Sequence, residues 1–311
     1  MQLVQPLFNG EIDIVGDVHG EIDALKDLRR HLGYSDDGLH PENRRLVFVG
    51  DLTDRGPDSP AVIELVQGLI ESGRAQCVLG NHDLNILLGD KKHDNHWFFG
   101  EKWSLKGEGH PITPAVLAYD TIRKTVLDFF RTLPLALERD GLRVVHACWD
   151  EKMVEIVRNA DDVVSLYKRY EQSIEGRMEN SGLKEVFKNL ARQNENPVKV
   201  LTSGKERRAK EPFFASGKLR QEERVPWWEE YTDKELCVFG HYSFFKGESN
   251  SSGGAICVDY AVAKRWMELK SPDDKGPFKA KLAALRIPEM VLVFEDGEQE
   301  SIKEQVDWEP S

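Results

Sequence analysis

Asp17 and His19 stand two residues apart in Gly16-Asp17-Val18-His19-Gly20, between an apolar run and a helical pattern. A carboxylate and an imidazole on a glycine-framed turn can hold a metal ion. Alone, such a pair reads equally well as an ordinary turn. Related turns recur at Gly50-Asp51-Leu52-Thr53-Asp54-Arg55-Gly56-Pro57, at Gly80-Asn81-His82-Asp83, at His146 and at Gly240-His241, each after an apolar run. Together they offer carboxylate, carboxamide oxygen and imidazole nitrogen, a donor mix that borderline divalent metals favour. Two metals roughly 3.5–4 Å apart need a bridging ligand, and a carboxylate suits that role. Asp51 is the candidate bridge, because it stands in the middle of the series. Asp17 and His19 would complete one metal; Asn81, His146 and His241 would complete the other. Such a centre is suited to hydrolysing a phosphate ester.

Those turns need strands to aim them. Residues 11–15, 46–49 and 76–79 read as short strands, each ending at one of the first three turns. Ile22, Leu25, Leu28 and Leu32 fall on one helical face that Gly33 closes. Ser59 is placed to cap the next helix, with Pro60 as its first residue. Val62, Ile63, Val66, Leu69 and Ile70 make that helix's apolar stripe. A third helix starts near Leu84. This alternation indicates a parallel sheet covered on both faces, in which ligands bind at the carboxyl ends of strands. Further strands are expected at 143–145, 236–239, 255–258 and 290–294. Residues 89–114 hold His93, His96, Trp97, Trp103 and His110 and read as a loop or lid. Residues 115–133 and most of 150–194 read as helical, and 196–228 has mixed propensity. A polar insertion at about 264–288 precedes the last strand, and 301–311 reads as a frayed tail.

GDVHG at 16–20, GDLTDRGP at 50–57, GNHD at 80–83, VVH ending at His146 and GH at 240–241 resemble the motifs of calcineurin-like metallophosphoesterases. The likeness is greatest to the phosphoprotein-phosphatase branch, with its GDxHG, GDxxDRG and GNH motifs. It runs from about residue 12 to residue 258. It implies an α/β fold of two packed mixed β-sheets flanked by helices. It implies the same metal set, and a metal-bridging hydroxide that attacks phosphorus. By the same resemblance His82 protonates the leaving oxygen, Asp54 orients His82, and Arg55 binds phosphate oxygens. Asn81 would touch substrate as well as metal. A second arginine is expected between the last two histidines, where Arg207, Arg208, Arg220 and Arg224 stand. GNHDLNILL at 80–88, FGHYSFFKG at 239–247 and ICVDY at 256–260 look like the symmetrical diadenosine-tetraphosphatases. The Asp54-Arg55 pair looks more like protein phosphatases and the phosphatase module of bacterial polynucleotide kinase-phosphatases. Tyr260-Ala261-Val262 departs from the small-residue turn those branches carry after Asp259.

The chain has 311 residues, 40% of them hydrophobic and 31% charged, enough for a sizeable core. A net charge of −12 argues against general binding of nucleic acid or an anionic membrane surface. Residues 1–10 do not read as a secretory leader, and no run of about 18 apolar residues spans a membrane. Cys77, Cys148, Cys237 and Cys257 form no CxxC pair and read as buried thiols, so a cytoplasmic location is expected. Plainer readings hold elsewhere. His93, His96 and His110 read as loop histidines. The aromatics around them, with Phe213, Phe214, Trp227 and Trp228, read as packing rather than a base-stacking rim. Residues 150–194 read as a solvated helical surface, and Lys205 lacks the upstream glycine of a phosphate loop.

The expectation is one domain over 1–300, with a lid-like insertion at about 89–114, a variable helical region at about 150–230 and a tail at 301–311. It should hydrolyse phosphomonoesters as serine/threonine protein phosphatases do, using two divalent ions: Mn²⁺ first, with Fe, Zn, Ni or Co as alternatives. Hydrolysis of bis(5′-nucleosyl)-tetraphosphates is the second reading. A metal-binding scaffold without turnover is the reading from another class. That scaffold predicts a lost ligand, and none is lost. The substrate would be a phosphorylated small molecule, a nucleotide or a phosphoprotein. The oligomeric state stays open.

Overall fold

Residues 46–49 carry no polar side chain, and the fold shows why: both faces of that strand are covered. The computed structural model describes residues 2–100, 115–179, 181–215, 218–269, 274, 276–305 and 308. In chain order the elements begin β1 (Val4–Pro6), β2 (Ile12–Val15), α1 (Ile22–Leu32), β3 (Arg45–Phe48), α2 (Ser59–Glu71), β4 (Ala75–Cys77), α3 (Asn81–Leu88) and α4 (His96–Phe99). They continue α5 (Asp120–Phe130), β5 (Ala136–Arg139), β6 (Leu142–Val145), α6 (Glu151–Arg158), α7 (Val163–Met178), α8 (Glu185–Asn194) and α9 (Pro197–Ser203). Then come β7 (Glu206–Ala215), β8 (Lys218–Arg224), β9 (Leu236–Phe239), β10 (Ser251–Ser252), β11 (Ala255–Cys257), α10 (Arg265–Glu268), β12 (Ala283–Ile287), β13 (Val291–Phe294) and β14 (Gln299–Ser301).

Two six-stranded sheets run β1-β5-β6-β9-β11-β10 and β14-β13-β12-β2-β3-β4, with β7 and β8 as a separate hairpin. Ile14, Val47 and Val78 of one sheet share a buried cluster with Leu137, Val144 and Val238 of the other. Neighbours in the strands, Val15, Leu46 and Phe48, belong instead to a second cluster with Leu25, Leu28 and Val62 of the helices. Successive strand residues point to opposite faces, so a strand between a helix layer and a sheet layer is apolar throughout. β2, β3 and β4 are parallel, as expected. The sheet as a whole is mixed, because β12 joins β2 antiparallel. Its inner face is covered by the second sheet, not by helices.

Several boundaries differ from the sequence reading. Asp58, not Ser59, caps α2, accepting from Ala61 N–H at 2.9 Å. The stretch at 196–228 resolves into α9, the β7–β8 hairpin and a 3₁₀ turn over Trp227–Glu230. The segment at 301–311 is anchored where it is described: Ile302 is buried, and Trp308 Nε1–H donates to Gly141 O at 2.8 Å. Of the expected lid, residues 89–100 pack inward through Trp97 and Phe98. Residues 101–114, with Trp103 and His110, lie outside the described residues, as do 270–273 and 275 of the polar insertion and 306, 307 and 309–311 of the tail. Trp227 and Trp228 pack in the core, whereas Phe214 on the hairpin is 79% exposed. The four cysteines are free and buried. Among the described residues no helix is long and apolar enough to cross a membrane.

Candidate active site

The strand-end turns are built as one piece. Val18 and His19 N–H donate to Asp51 O at 3.1 and 2.9 Å, Gly20 N–H to Leu52 O at 2.9 Å, and Gly56 N–H to His19 O at 2.9 Å. These bends set His19, Asp51, Asp54 and Arg55 at φ of 48°, 49°, 72° and 66°. Side chains other than glycine enter that region at a cost, and such strain persists where the surroundings over-determine it. Asp83 ties the third turn to the second, accepting from Leu52 N–H at 3.2 Å, Thr53 Oγ1 at 3.1 Å and Gly80 N–H at 3.2 Å. Two glycines admit the carboxylates. A Cβ on Gly80 would lie 2.1 Å from Asp51 Oδ1, and one on Gly240 2.1 Å from Asp17 Oδ1.

Asp51 sits between histidines carried by different sheets. Its Oδ2 is 3.7 Å from His19 Nε2 and 3.3 Å from His146 Nε2. Asp17 Oδ2 is 3.8 Å from His19 Nε2. Asn81 Oδ1 is 3.2 Å from His146 Nε2 and 2.7 Å from His241 Nδ1. A carbonyl can only accept, so His19 Nδ1–H donates to Thr53 O at 3.0 Å and His146 Nδ1–H to Val49 O at 2.7 Å. That leaves Nε2 of both rings to face the site. Backbone N–H groups hold the acids: His241 N–H donates to Asp17 at 3.1 Å and His82 N–H to Asp51 at 2.9 Å.

The charges in this cluster are out of balance. Burial lifts the Asp17 carboxyl well above the usual carboxylate range, and Asp259 and Asp51 push it the same way. Burial works to raise Asp51 too, but His146, His82 and His19 outweigh it and hold Asp51 well below that range. Burial works to lower His146, yet Asp51 and Asp17 lift it to about 10. His19 falls to about 4 under burial and Arg55. Crowded buried carboxyls of this kind are relieved by a cation. Ligand atoms of His19, Asp51 and His82 lie within 4.8 Å of one another, as do those of Asp51, His146 and His241. The donor types, the crowded acids and the shared Asp51 fit two divalent cations.

His82 is committed on one side. Its Nδ1 lies 2.6 Å from Asp54 Oδ2, and Trp97 Nε1–H donates to Asp54 Oδ1 at 2.7 Å. Asp54 N–H donates to Ser59 Oγ at 3.0 Å. Burial holds the His82 imidazole well below its ordinary value, with Asp51 opposing and Arg55 adding. Among the described residues no carboxylate pairs with the Arg55 guanidinium, which lines the same cavity.

That cavity encloses about 270 Å³. Arg220 and Arg224 line it, and Arg207 and Arg208 do not. Arg207 Nε–H donates to Glu223 at 2.7 Å. Arg224 donates to His241 O at 3.2 Å and lies 5.4 Å over the Tyr242 ring. All the sequence-nominated ligands therefore converge, and the arginine field narrows to two. Sequence reasoning gave no role to Asp83 or Lys199, and read His93 as a loop histidine and Trp97 as packing. Asp83 stands inside the third motif and was in view. The His93 ring is 5.3 Å from the His82 ring, but nothing local set it apart from its neighbours.

The sequence model of the calcineurin-like phosphoesterases matches residues 10–242. A protein named bis(5′-nucleosyl)-tetraphosphatase PrpE (asymmetrical) from Oceanobacillus iheyensis is 51% identical over 146 residues, 44% of this chain and 55% of that protein. Its namesake from Geobacillus sp. (strain WCH70) is 36% identical over 143 residues, 44% of this chain and 56% of that protein. The chain spans about half the length of the curated relatives it matches. A cold-active protein tyrosine phosphatase shares the fold, with a TM-score of 0.55 at 16% identity over 96% of this chain and 80% of that one. A structure of a cold-active protein-tyrosine phosphatase from a psychrophilic Shewanella species gives 0.54 at 16% identity over 96% and 82%. The family match covers most of the chain and takes in every turn that feeds the cavity, so the chain belongs to the calcineurin-like phosphoesterase family.

Proposed function

We propose that this chain is a two-metal phosphoester hydrolase. The observation that carries the reading is the position of Asp51, shared by two groups of potential ligands. Asp17, His19 and Asp51 would hold one divalent cation, and Asp51, Asn81, His146 and His241 the other. When bound, such a pair supplies positive charge for the phosphoryl oxygens and brings the pKa of water towards neutrality. The donor set suits Mn²⁺, with Fe, Zn, Ni or Co as alternatives.

The chain's own groups do the rest. In its doubly protonated form, which the Asp54 carboxylate stabilises, His82 hands a proton to the leaving oxygen through the ring nitrogen that Asp54 does not hold. Asp54 keeps that ring facing the cavity, and Trp97 keeps Asp54 in place. Arg55, and Arg224 beside His241, offer forks of N–H donors to the non-bridging oxygens; Asn81 adds its carboxamide. A reducing compartment, the cytoplasm, suits the four buried thiols.

Phosphomonoesters are the first substrate reading. Dinucleoside tetraphosphates are the second, favoured by the names of the relatives. Those names say asymmetrical, whereas the motif likeness ran to symmetrical enzymes, so an assay should identify the products. Purified protein with Mn²⁺ should release phosphate from p-nitrophenyl phosphate. Asp51→Asn should cut kcat/KM by about a thousandfold, roughly 4 kcal/mol. Metal-loaded wild type that hydrolyses no phosphate ester would leave a binding scaffold as the better account. Diadenosine tetraphosphate against a phosphoserine peptide decides the substrate: a preference of about a hundredfold corresponds to roughly 2.7 kcal/mol in transition-state binding.

A further inference from the structure

We propose that Lys92, Lys199 and Arg220 form a second anion subsite in this cavity, which takes the phosphate next to the scissile one in a phosphoanhydride substrate. The subsite rests on the hydrolase reading for the scissile group and on the second of the two substrate readings, a phosphoanhydride. None of its residues lies in the five motifs.

The first observation is a local reversal of charge. The chain carries a net −12. Yet away from the metal ligands the cavity is lined by Arg55, Lys92, Lys199, Arg220 and Arg224, with Glu206 as the one carboxylate. Gathered like charges repel, so such a lining does nothing for the fold; it does concentrate anions. The second observation is that the cations are poorly neutralised. Among the described residues, neither Lys199 nor Arg220 makes an ion pair. Lys199 Nζ instead lies 5.7 Å from the ring of Tyr167, a buried residue of α7. Partial burial lowers the Lys199 ammonium and Lys92 and Arg192 add to it, while Glu171 and Asp90 oppose. Lys92 is paired, with Asp90 at 3.0 Å. Glu206 interacts electrostatically with Arg224, Arg220 and Lys199 without forming an ion pair with any of them among the described residues.

The third observation gives the subsite a direction. Arg220 and Arg224 both line the cavity from β8, four residues apart, roughly 13 Å along the strand, across an irregularity in its pairing with β7. Arg224 reaches the backbone of His241, so it belongs with the metal ligands, and Arg220 carries the cationic lining outward. His93, whose ring is 5.3 Å from His82, lines the same wall. The extension therefore begins on the leaving-group side. The departing group it fits is itself a phosphate. Hydrolysis then adds the oxygen of one water to the scissile phosphorus and breaks that phosphorus's bond to the bridging oxygen. The bridging oxygen keeps the electron pair and takes a proton from His82, which solvent restores with the proton the water lost.

Isothermal titration of metal-free protein should show tripolyphosphate binding about tenfold more tightly than orthophosphate. Lys199→Gln and Arg220→Gln should each remove most of that preference, while Lys199→Arg should keep it, with circular dichroism showing that every variant is folded. Equal binding of the two anions by wild type overturns the subsite, and so does a preference that survives both glutamine variants. In the metal-loaded enzyme, kcat/KM for ATP relative to phenyl phosphate should fall about tenfold in Lys199→Gln. A wild-type preference for a phosphoserine peptide over ATP overturns the proposal as well. If loaded protein hydrolyses nothing but tripolyphosphate still binds through Lys199, the hydrolase reading fails and the subsite stands.

Discussion

Trp97 reaches Asp54 from a segment that carries none of the five motifs, and its indole N–H is one of two donors on that carboxylate. Trp97→Phe keeps an aromatic ring in the core and removes the donor. A buried acceptor left unsatisfied costs about 1–3 kcal/mol. Steady-state kinetics should show kcat down about tenfold with KM nearly unchanged, because in the proposed mechanism Asp54 and His82 act on the leaving group and not on binding. An unchanged kcat would mean that Asp54 holds its place without the indole. Glu21 offers a second test at this scale. Burial pushes its carboxyl from 4.5 up to about 7, Glu295 adding and Arg265 opposing. A folded-state value above the unfolded one means that the folded protein holds the proton more tightly. The penalty is therefore absent below pH 4.5 and grows until about pH 7. It amounts to roughly 3 kcal/mol, at about 1.4 kcal/mol per pH unit. Glu21→Gln should raise the melting temperature at about pH 8 and not at about pH 4; equal shifts at both would refute the linkage. The candidate ligands Asp17 to His241 could be nominated from sequence because each lies in a short local motif. Trp97 and Lys199 were not, because their roles depend on where distant segments fold.

The strand-end turns work as elements because backbone stands in for side chain at two points. Gly80→Ala would drive a methyl group into Asp51 Oδ1, and Gly240→Ala into Asp17 Oδ1. Neither neighbour has slack, since each carboxylate is also fixed by a backbone N–H. Plasma mass spectrometry should find metal content well below that of wild type in both variants, and activity should fall about a hundredfold or more. Wild-type metal content in Gly80→Ala would show that Asp51 can move without loss. At this scale the parallel strands β3 and β9 were legible, because strands covered on both faces read as nearly unbroken apolar runs, and β2 was legible although the buried Asp13 interrupts its run. β12 was not. Ala283-Ala284-Leu285-Arg286-Ile287 has a single β-branched residue and no aromatic, a weak strand signal, and its Arg286 is spent on Asp13 at 3.0 Å. The β7–β8 hairpin was hidden for another reason: it sits outside both sheets, so burial imprints no alternation on it.

Across the whole molecule, the candidate site bridges the sandwich. Asp17, Asp51 and Asn81 follow strands of one sheet, and His146 and His241 follow strands of the other. Cations bound there would resist separation of the layers, so stability should track metal. Mn²⁺ at about a hundred times its Kd should add about 2.7 kcal/mol, read as a rise in melting temperature over a chelator-treated sample. An identical melting temperature with and without metal would refute binding at a site that spans both sheets. The shared buried cluster also argues for one cooperative unit over residues 1–300, to be checked by coincident fluorescence and circular dichroism transitions.

The strand order carries a consequence for synthesis. β2, which delivers Asp17, pairs with β3 on one side and with β12 on the other, Val15 facing Ala284. A nascent chain can make the first pairing early, but the second has to wait until residues 284–287 have been made, more than 260 residues after β2. Until then β2 presents an open edge, and open edges are templates for wrong partners. Pairing across so long a separation is also slow. A ribosome that stalls between the codons for residues 49 and 283 would therefore leave exposed the strand on which the site depends.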